Sequence, residues 1–344
     1  MESIFKDLPF DYVFCRAEVD VIRAAKIRQR YGLPGQDLKS AMCFRDKFLM
    51  KETLSPYPVK MADYRQIDSA EELIEFASRN GLPLVIKPRL ASGSSGVAIL
   101  HSTEEIHSYL HLNKNQLAGM LAEDYVSGEM FHIDGLVVHG EIKFLQPFRY
   151  INNCLSYRDN LYIGNIPLGR HDPLYARLVS AVKEVLDAMP STPHFAFHCE
   201  MWVTPQDEIV FCEIASRTGG GMISFLIEEM TGFNIDKAWL LAECRIHLSS
   251  YPDYQESFLR FGCVCIPPAK GRLMSLPAEY PQEVRKTHLT GKVNEIYTGG
   301  EKSGLYLIGH VVEADDPSTV LELFDACYQQ IHASGRWEAE RQGD

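Results

Sequence analysis

The sequence predicts an α+β fold, and three observations carry that reading. Segments that alternate apolar and polar residues gather mid-chain, at MFHIDGLVV (130–138), EIKFLQPFRY (141–150), FAFHCEMWV (195–203) and EIVFCEIA (208–215). A single long helical pattern, LYARLVSAVKEVLDAM (174–189), interrupts them, so strands and helices do not alternate as in a regular βαβ array. A smaller unit precedes them, in which two strand-like segments around a glycine-serine loop lie between helical stretches.

In chain order, FDYVFC (Phe10 to Cys15) reads as a short strand, and Glu18 to Tyr31 has helical spacing that stops at Gly32 with Pro34 beyond. A second helix starts near Ser40 and carries RDKFLMKETL. A third, SAEELIEFASRN, has Ser69 as N-cap and Gly81 as its stop. LPLVIKP is a buried-type strand, ASGSSG a loop, VAILH another strand, and TEEIHSYLHL a helix. From Phe258 a smaller α/β unit is expected, with strands at FGCVCIP and LYLIGHVVEA, a helix at PSTVLELFDACYQQI and a frayed end, RWEAERQGD. The expected organisation is a short N-terminal α/β remnant (1–38), a linking helix and lid (39–122), a core with the site (123–257) and a C-terminal α/β subdomain (258–344).

Composition narrows the function classes. Of 344 residues 46% are apolar and 23% charged, as in an ordinary globular protein, and the length allows two or three domains. A net charge of −12 argues against a generic nucleic-acid or anionic-membrane surface. No apolar run approaches a membrane span, and MESIFKDLPFDY lacks the pattern of a secretory signal, so a cytoplasmic protein is expected. The nine cysteines are scattered, with only Cys263 and Cys265 close together; they read as reduced, packed thiols.

The strongest chemical feature is a pair of acids on one hairpin. Glu200 and Glu213 are separated by the turn-forming TPQD, and a turn centred between Gln206 and Asp207 sets them directly opposite. Their Cβ atoms would then be roughly 4.5–5.5 Å apart on one face. Like charges so placed need compensation, for which a hard cation with oxygen ligands is suited; a screened surface pair is the plain alternative. EIASRTGGG follows, with Arg217 able to grip an anion bidentately and Gly219, Gly220 and Gly221 letting backbone amides approach one.

Upstream, Lys87 ends an apolar strand and the loop Ser92, Gly93, Ser94, Ser95, Gly96 follows, a point charge beside many donors. It is not a Walker A motif, because the lysine precedes the loop. A plain mobile loop reads equally well there, and Lys47, on a helix, reads by itself first as a surface lysine. Glu123 and Glu129 flank a short interdomain linker; such acids can accept hydrogen bonds from an adenine amino group and ribose hydroxyls, or be exposed turn acids.

In order, RDK, LVIKP, SGSSG, EDYVSGE, HCE, EIASR and TGGG resemble the ATP-grasp superfamily over about residues 10 to 330. The resemblance is closest to its L-amino-acid ligase-like branch and the related formate-using and carboxylating purine enzymes. It implies mixed antiparallel sheets with a mobile α/β lid over about residues 60 to 120, and ATP with magnesium (or manganese) as cofactors. It implies phosphate contacts from Lys47 and Lys87 under the closing Ser92 to Gly96 loop, and an adenine and ribose pocket of Glu123, Tyr125, Val126 and Glu129. Glu200 and Glu213 would hold the metal, and Arg217 would be catalytic, stabilising an acyl phosphate. Ala215 stands where many relatives have an asparagine, which removes one potential metal ligand.

The activity that the resemblance implies is ligation of a small-molecule carboxylate to an amine, both expected to be amino acids, through an acyl phosphate. Loading of an amino acid onto a carrier-protein thiol would use the same ATP site, and a nucleotide-binding protein without catalysis is the reading from another class. The acceptor pocket is expected in Asn152 to Gly169 and after Gly219. One βα unit at the N-terminus cannot satisfy its own edges, so residues 1 to 38 are expected to pack on the main body or be completed by another chain, as in a homodimer.

Overall fold

The computed structural model describes residues 10–114, 116–190 and 192–338. The described residues begin with an irregular segment and a 3₁₀ turn, Glu18–Asp20, leading into α1 (Val21–Tyr31), which Gly32 closes in the left-handed conformation. Two short helices follow, α2 (Leu38–Arg45) and α3 (Lys47–Leu54). Next come β1 (Tyr64–Ile67), α4 (Ala70–Asn80), β2 (Leu84–Pro88), β3 (Ala98–Leu100), α5 (Thr103–Asn113) and β4 (Met120–Asp124). These four strands form one antiparallel sheet in the order β1-β4-β2-β3, with a core of its own beneath α4 and α5 that includes Leu73, Phe76, Ile86 and Ile106.

The larger body begins with β5 (Glu129–Val138), β6 (Glu141–Ile151), β7 (Ile163–Pro167), α6 (Pro173–Ala188), β8 (His194–Val203) and β9 (Ile209–Ala215). It continues with α7 (Ile223–Thr231), α8 (Ile235–Glu243), β10 (Phe261–Ile266), β11 (Lys270–Ser275), β12 (Val284–Leu289), β13 (Ile296–Thr298), β14 (Ile308–Glu313), α9 (Pro317–Gln329) and β15 (Arg336–Glu338). Eight of these strands form one antiparallel sheet, β12-β14-β10-β7-β6-β5-β8-β9, and β13-β11-β15 form a third. Of the strands after residue 258, β10, β12 and β14 therefore extend the central sheet, while β11, β13 and β15 make up the third. Apolar cores lie on both of its faces, one with Phe44, Leu178 and Val182 from the helices α2 and α6, the other with Leu226, Ile227 and Trp239 from α7 and α8. The outer edge of β9 is covered where Phe211 N–H donates to Lys60 O at 2.8 Å, which leaves that edge no open ladder there. Among the described residues no helix is long and apolar enough to cross a membrane.

Two expected elements differ. Phe10 to Cys15 is irregular and joins no sheet among the described residues, so the expected strand is not formed. Its Val13 carbonyl instead accepts from Arg28 Nε at 3.1 Å and Nη2 at 2.5 Å, while Phe14 packs edge-on against Trp239. Residues 10–38 thus find partners in their own chain. The helix expected from Ser40 through RDKFLMKETL is broken at Asp46, which leaves helical geometry to cap α3, accepting from Phe48 N and Leu49 N. Asp46 also pairs with Arg89. That break decides the placement of two lysines described below. Ser69 does cap α4, in a full capping box with Glu72, and Gly81 follows its end. Of the tail expected to be frayed, residues 336–338 form β15 and 339–344 lie outside the described residues.

A buried histidine in this scaffold predicts acid sensitivity. His310 on β14 is fully buried, its Nδ1 meets Thr287 Oγ1 at 3.0 Å, and its Nε2 has no hydrogen-bond partner among the described residues. Burial lowers its pKa to about 4. The unfolded chain then takes up this proton first as pH falls, so stability is lost from about pH 6.5 down to the folded pKa, by on the order of 3 kcal/mol. His310→Phe is expected to remove that part of the slope in melting curves between pH 7 and 4.5; an unchanged slope would assign it elsewhere.

Candidate active site

The acidic hairpin is β8 and β9, and Glu200 lies directly opposite Glu213. The register that achieves this is not the one a simple turn gives. Near the turn Val203 faces Ile209, Trp202 faces Val210 and Met201 faces Phe211, which would continue to Glu200 opposite Cys212. A bulge at Cys212 absorbs one residue and brings Glu213 into line, restoring both acids to one face. The same bulge sets the side on which Cys212 lies, where strict alternation would turn it away from Glu213. That residue does not pack on the face opposite the acids but lines the cavity they border, whereas Cys199 is core. Burial pushes the Cys212 thiol up to about 12, so it stays protonated and is no nucleophile.

Opposite the hairpin, β2 and α3 supply three lysines. With α3 restarting at Asp46, Lys47 and Lys51 stand one turn apart on the same side. Lys47 Nζ lies 3.0 Å from Glu213 Oε2 and donates to Ala91 O at 2.8 Å. Lys51 Nζ is 3.0 Å from Glu123 Oε1, and Lys87 Nζ is 2.6 Å from Glu123 Oε2. The Oε1 contact is an ion pair only, since that atom accepts no well-aligned hydrogen bond. Burial works against the Glu123 charge, but the two lysines outweigh it and hold its pKa below the usual range. Burial likewise opposes the Glu213 charge, and Lys47 with Lys87 brings its pKa down to about 2. Lys51 was not singled out from sequence, because without the break at Asp46 its side of the helix is not defined.

The loop from Ser92 to Gly96 crosses this region and is tied on both sides. Ser303 N–H donates to Gly93 O at 3.1 Å, Tyr157 Oη to Ser94 O at 3.4 Å, and Arg158 Nη2 to Val97 O at 2.5 Å. Tyr125 and Val126 line the same cavity at the junction between the small sheet and the large one. Glu129 does not border it; its carboxylate pairs with Arg149 at 2.8 Å on the surface. Gly96 is likewise outside the lining. Arg217 is half-buried beyond the acids, where its Nε donates to Glu18 and its Nη1 to Thr218 O at 2.7 Å. Glu18 is held in turn by Arg45 at 2.6 Å.

A buried relay that sequence reading passed over lies behind the acids. His132 Nδ1 meets Asp134 Oδ2 at 2.5 Å, and His198 Nδ1 meets Asp134 Oδ1 at 3.0 Å. His198 Nε2 reaches Glu200 Oε1 at 3.4 Å, and Tyr150 Oη donates to that same oxygen at 2.9 Å. Gly219 N–H donates to Asp134 Oδ1 at 3.2 Å, so the relay fixes both Glu200 and the start of the glycine run. A Cβ at Gly219 would come within 2.7 Å of that carboxylate oxygen. Burial opposes charge on His198, but Asp134 prevails and raises its pKa to about 9. The period-2 spacing of His132 and Asp134, and of His198 and Glu200, is the signal that places each pair on one face of a strand.

These residues border two adjoining cavities. The first, of about 440 Å³, is lined by Lys47, Lys51, Lys87, the Ser92–Ser95 loop, Glu123 to Val126, Glu200 and Glu213. The second, of about 370 Å³, shares Ser92 to Ser94, Glu200 and Glu213 and adds Arg217, Gly219 to Gly221 and Lys302. The volume of the first suits a nucleotide-sized ligand. Its donor set fits a polyphosphate with a divalent cation: two oxygen-donor carboxylates side by side, one held ionised, facing three ammonium groups. A second ligand beyond the acids would meet Arg217 and the glycine backbone.

Comparison with known proteins follows the same line. Residues 52–233 match the ATP-grasp domain family. An L-arginine-specific L-amino acid ligase from Bacillus subtilis is 31% identical over 74% of this chain and 61% of its own. A formate-dependent phosphoribosylglycinamide formyltransferase from Methanocaldococcus jannaschii is 26% identical over 52% of this chain and 45% of its own. The chain thus spans about half to three-fifths of the length of these relatives. Among solved structures, an L-amino acid ligase from Bacillus licheniformis superposes with TM-score 0.74 at 17% identity, over 94% of this chain and 82% of that one. A carboxyaminoimidazole ribonucleotide synthase from Aspergillus clavatus, complexed with ATP, gives 0.68 at 16%, over 90% and 79%. At these identities the likeness is one of fold.

Proposed function

The chain belongs to the ATP-grasp family, and on that premise we propose that it is an ATP-dependent carboxylate–amine ligase that joins amino acids through an acyl phosphate. The observation that carries the proposal is the meeting of the Glu200–Glu213 pair with Lys47 and Lys87 around one cavity, next to a second cavity that contains Arg217.

In this reading Lys47, Lys87 and the amides and hydroxyls of Ser92 to Ser95 hold the phosphates of ATP in the first cavity. Glu123 orients two of the lysines, and the stretch from Glu123 to Val126 borders the base. Glu200 and Glu213 hold magnesium, which when bound neutralises charge on the phosphates. The substrate carboxylate attacks the γ-phosphorus; an O–P bond forms and the bond to the ADP oxygen breaks. The amine then attacks the acyl carbon, the carbon–oxygen bond to phosphate breaks, and the amine gives up a proton. Arg217, fixed by Glu18, sits where it can hold the transferred group. Positioning and charge account for the rate, and no covalent enzyme intermediate is needed. Release of phosphate from ATP, screened across pairs of amino acids, tests the proposal: it should require magnesium and both members of a pair. Release that needs neither acid nor amine would sink it.

A further inference from the structure

Lys302 differs from every other charged side chain around the second cavity. Arg217 is countered by Glu18, Arg16 by Asp236 at 3.2 Å, Glu213 by Lys47, and Glu200 by His198. Lys302 lines the same cavity, half-buried, and among the described residues it has neither an ion pair nor a side-chain hydrogen bond. Its loop is not loose at this point. Ser303 N–H donates to Gly93 O at 3.1 Å and Leu305 N–H to Lys302 O at 3.0 Å, so the lysine is carried on a turn docked against the glycine-serine loop. It does not border the first cavity, where Lys47, Lys51 and Lys87 already face the place of the phosphates.

We propose that the second cavity takes a substrate with an anionic group beyond the carboxylate that reacts, an acidic amino acid being the simplest case, and that Lys302 selects for it. The inference rests on the ligase reading and adds the substrate class. A half-buried lysine on a docked turn, without a counter-charge among the described residues, favours an anion that arrives with the ligand, and it disfavours a cationic side chain by like-charge repulsion. Arg217 is committed to Glu18 and to the reacting end, which leaves Lys302 as the uncompensated positive charge in the cavity.

The test compares wild type, Lys302→Met and Lys302→Glu for phosphate release with L-glutamate, L-aspartate, L-alanine and L-arginine, each offered with the partner that the pair screen finds best. A charge-assisted hydrogen bond is worth roughly 10- to 150-fold. Lys302→Met is therefore expected to lose about 100-fold in kcat/KM with the acidic amino acid, to change by less than about 3-fold with alanine, and to keep the ATP KM. Lys302→Glu should shift the preference toward arginine. An equal loss with all substrates would mean that Lys302 serves the transferred phosphoryl group, and wild-type preference for arginine or alanine would also overturn the inference, both leaving the ligase reading intact. Binding of L-glutamate by wild type and Lys302→Met, measured calorimetrically with a non-hydrolysable ATP analogue present, keeps the test open where turnover is absent. Equal affinity there overturns the inference, whereas phosphate release with no pair at all removes the ligase reading itself.

Discussion

Glu213→Gln is expected to lower magnesium-dependent turnover on the order of 10³-fold while the protein folds as before. The carboxylate lies across the ladder from Glu200 and borders both cavities, so it is placed to bind a metal shared by nucleotide and substrate. A neutral amide is a poorer ligand for a hard cation, and loss of several kcal/mol of charge stabilisation corresponds to that factor. Folding should survive, because Lys47 keeps its hydrogen bond to Ala91 O and Gln preserves the shape. Steady-state phosphate release together with a thermal melt checks both halves. Wild-type turnover in the variant would make the pair structural.

The second large effect is on stability. Glu123 is buried and supports Lys51 and Lys87, both buried as well. Glu123→Gln leaves two ammonium groups in the interior without the carboxylate they contact, and breaking a buried ion pair in this way costs roughly 3–5 kcal/mol. A polyphosphate in the first cavity would supply the missing negative charge. ATP with magnesium should therefore raise the melting temperature of the variant by more than it raises that of the wild type. A variant that melts like wild type without nucleotide, or gains no more from it, would show that Glu123 does not tie the lysines together.

Much of the site was legible because its residues sit in short, chemically specific strings on well-patterned strands. The acid pair followed from alternation on β8 and β9, yet the pairing is reached through a bulge at Cys212 that local sequence does not announce. The simple turn centre was off by half a residue, the bulge supplied the difference, and Cys212 came to the cavity side as a result. Asp46 reads as an ordinary helical residue until Arg89, distant in sequence, is there to pair with it; only then do two helices replace one and Lys51 point to the site. The strand expected at Phe10 to Cys15 has suitable residues but no neighbour, since strand formation depends on a partner and not on composition. His132, Asp134 and His198 carry no motif, because their contact is made across the pairing of β5 with β8. Lys302 arrives from the far end of the chain through a loop contact of the kind that no periodicity encodes.

The central claim, that a carboxylate is activated by phosphorylation in these adjoining cavities, is tested most directly by following oxygen. The amino acid that serves as acid in the pair screen is labelled with ¹⁸O in its carboxylate, and the phosphate released is analysed by mass spectrometry. The account predicts one ¹⁸O atom per phosphate, in amounts that match the amide formed and only when magnesium is present. Phosphate that carries no label while amide accumulates would contradict it.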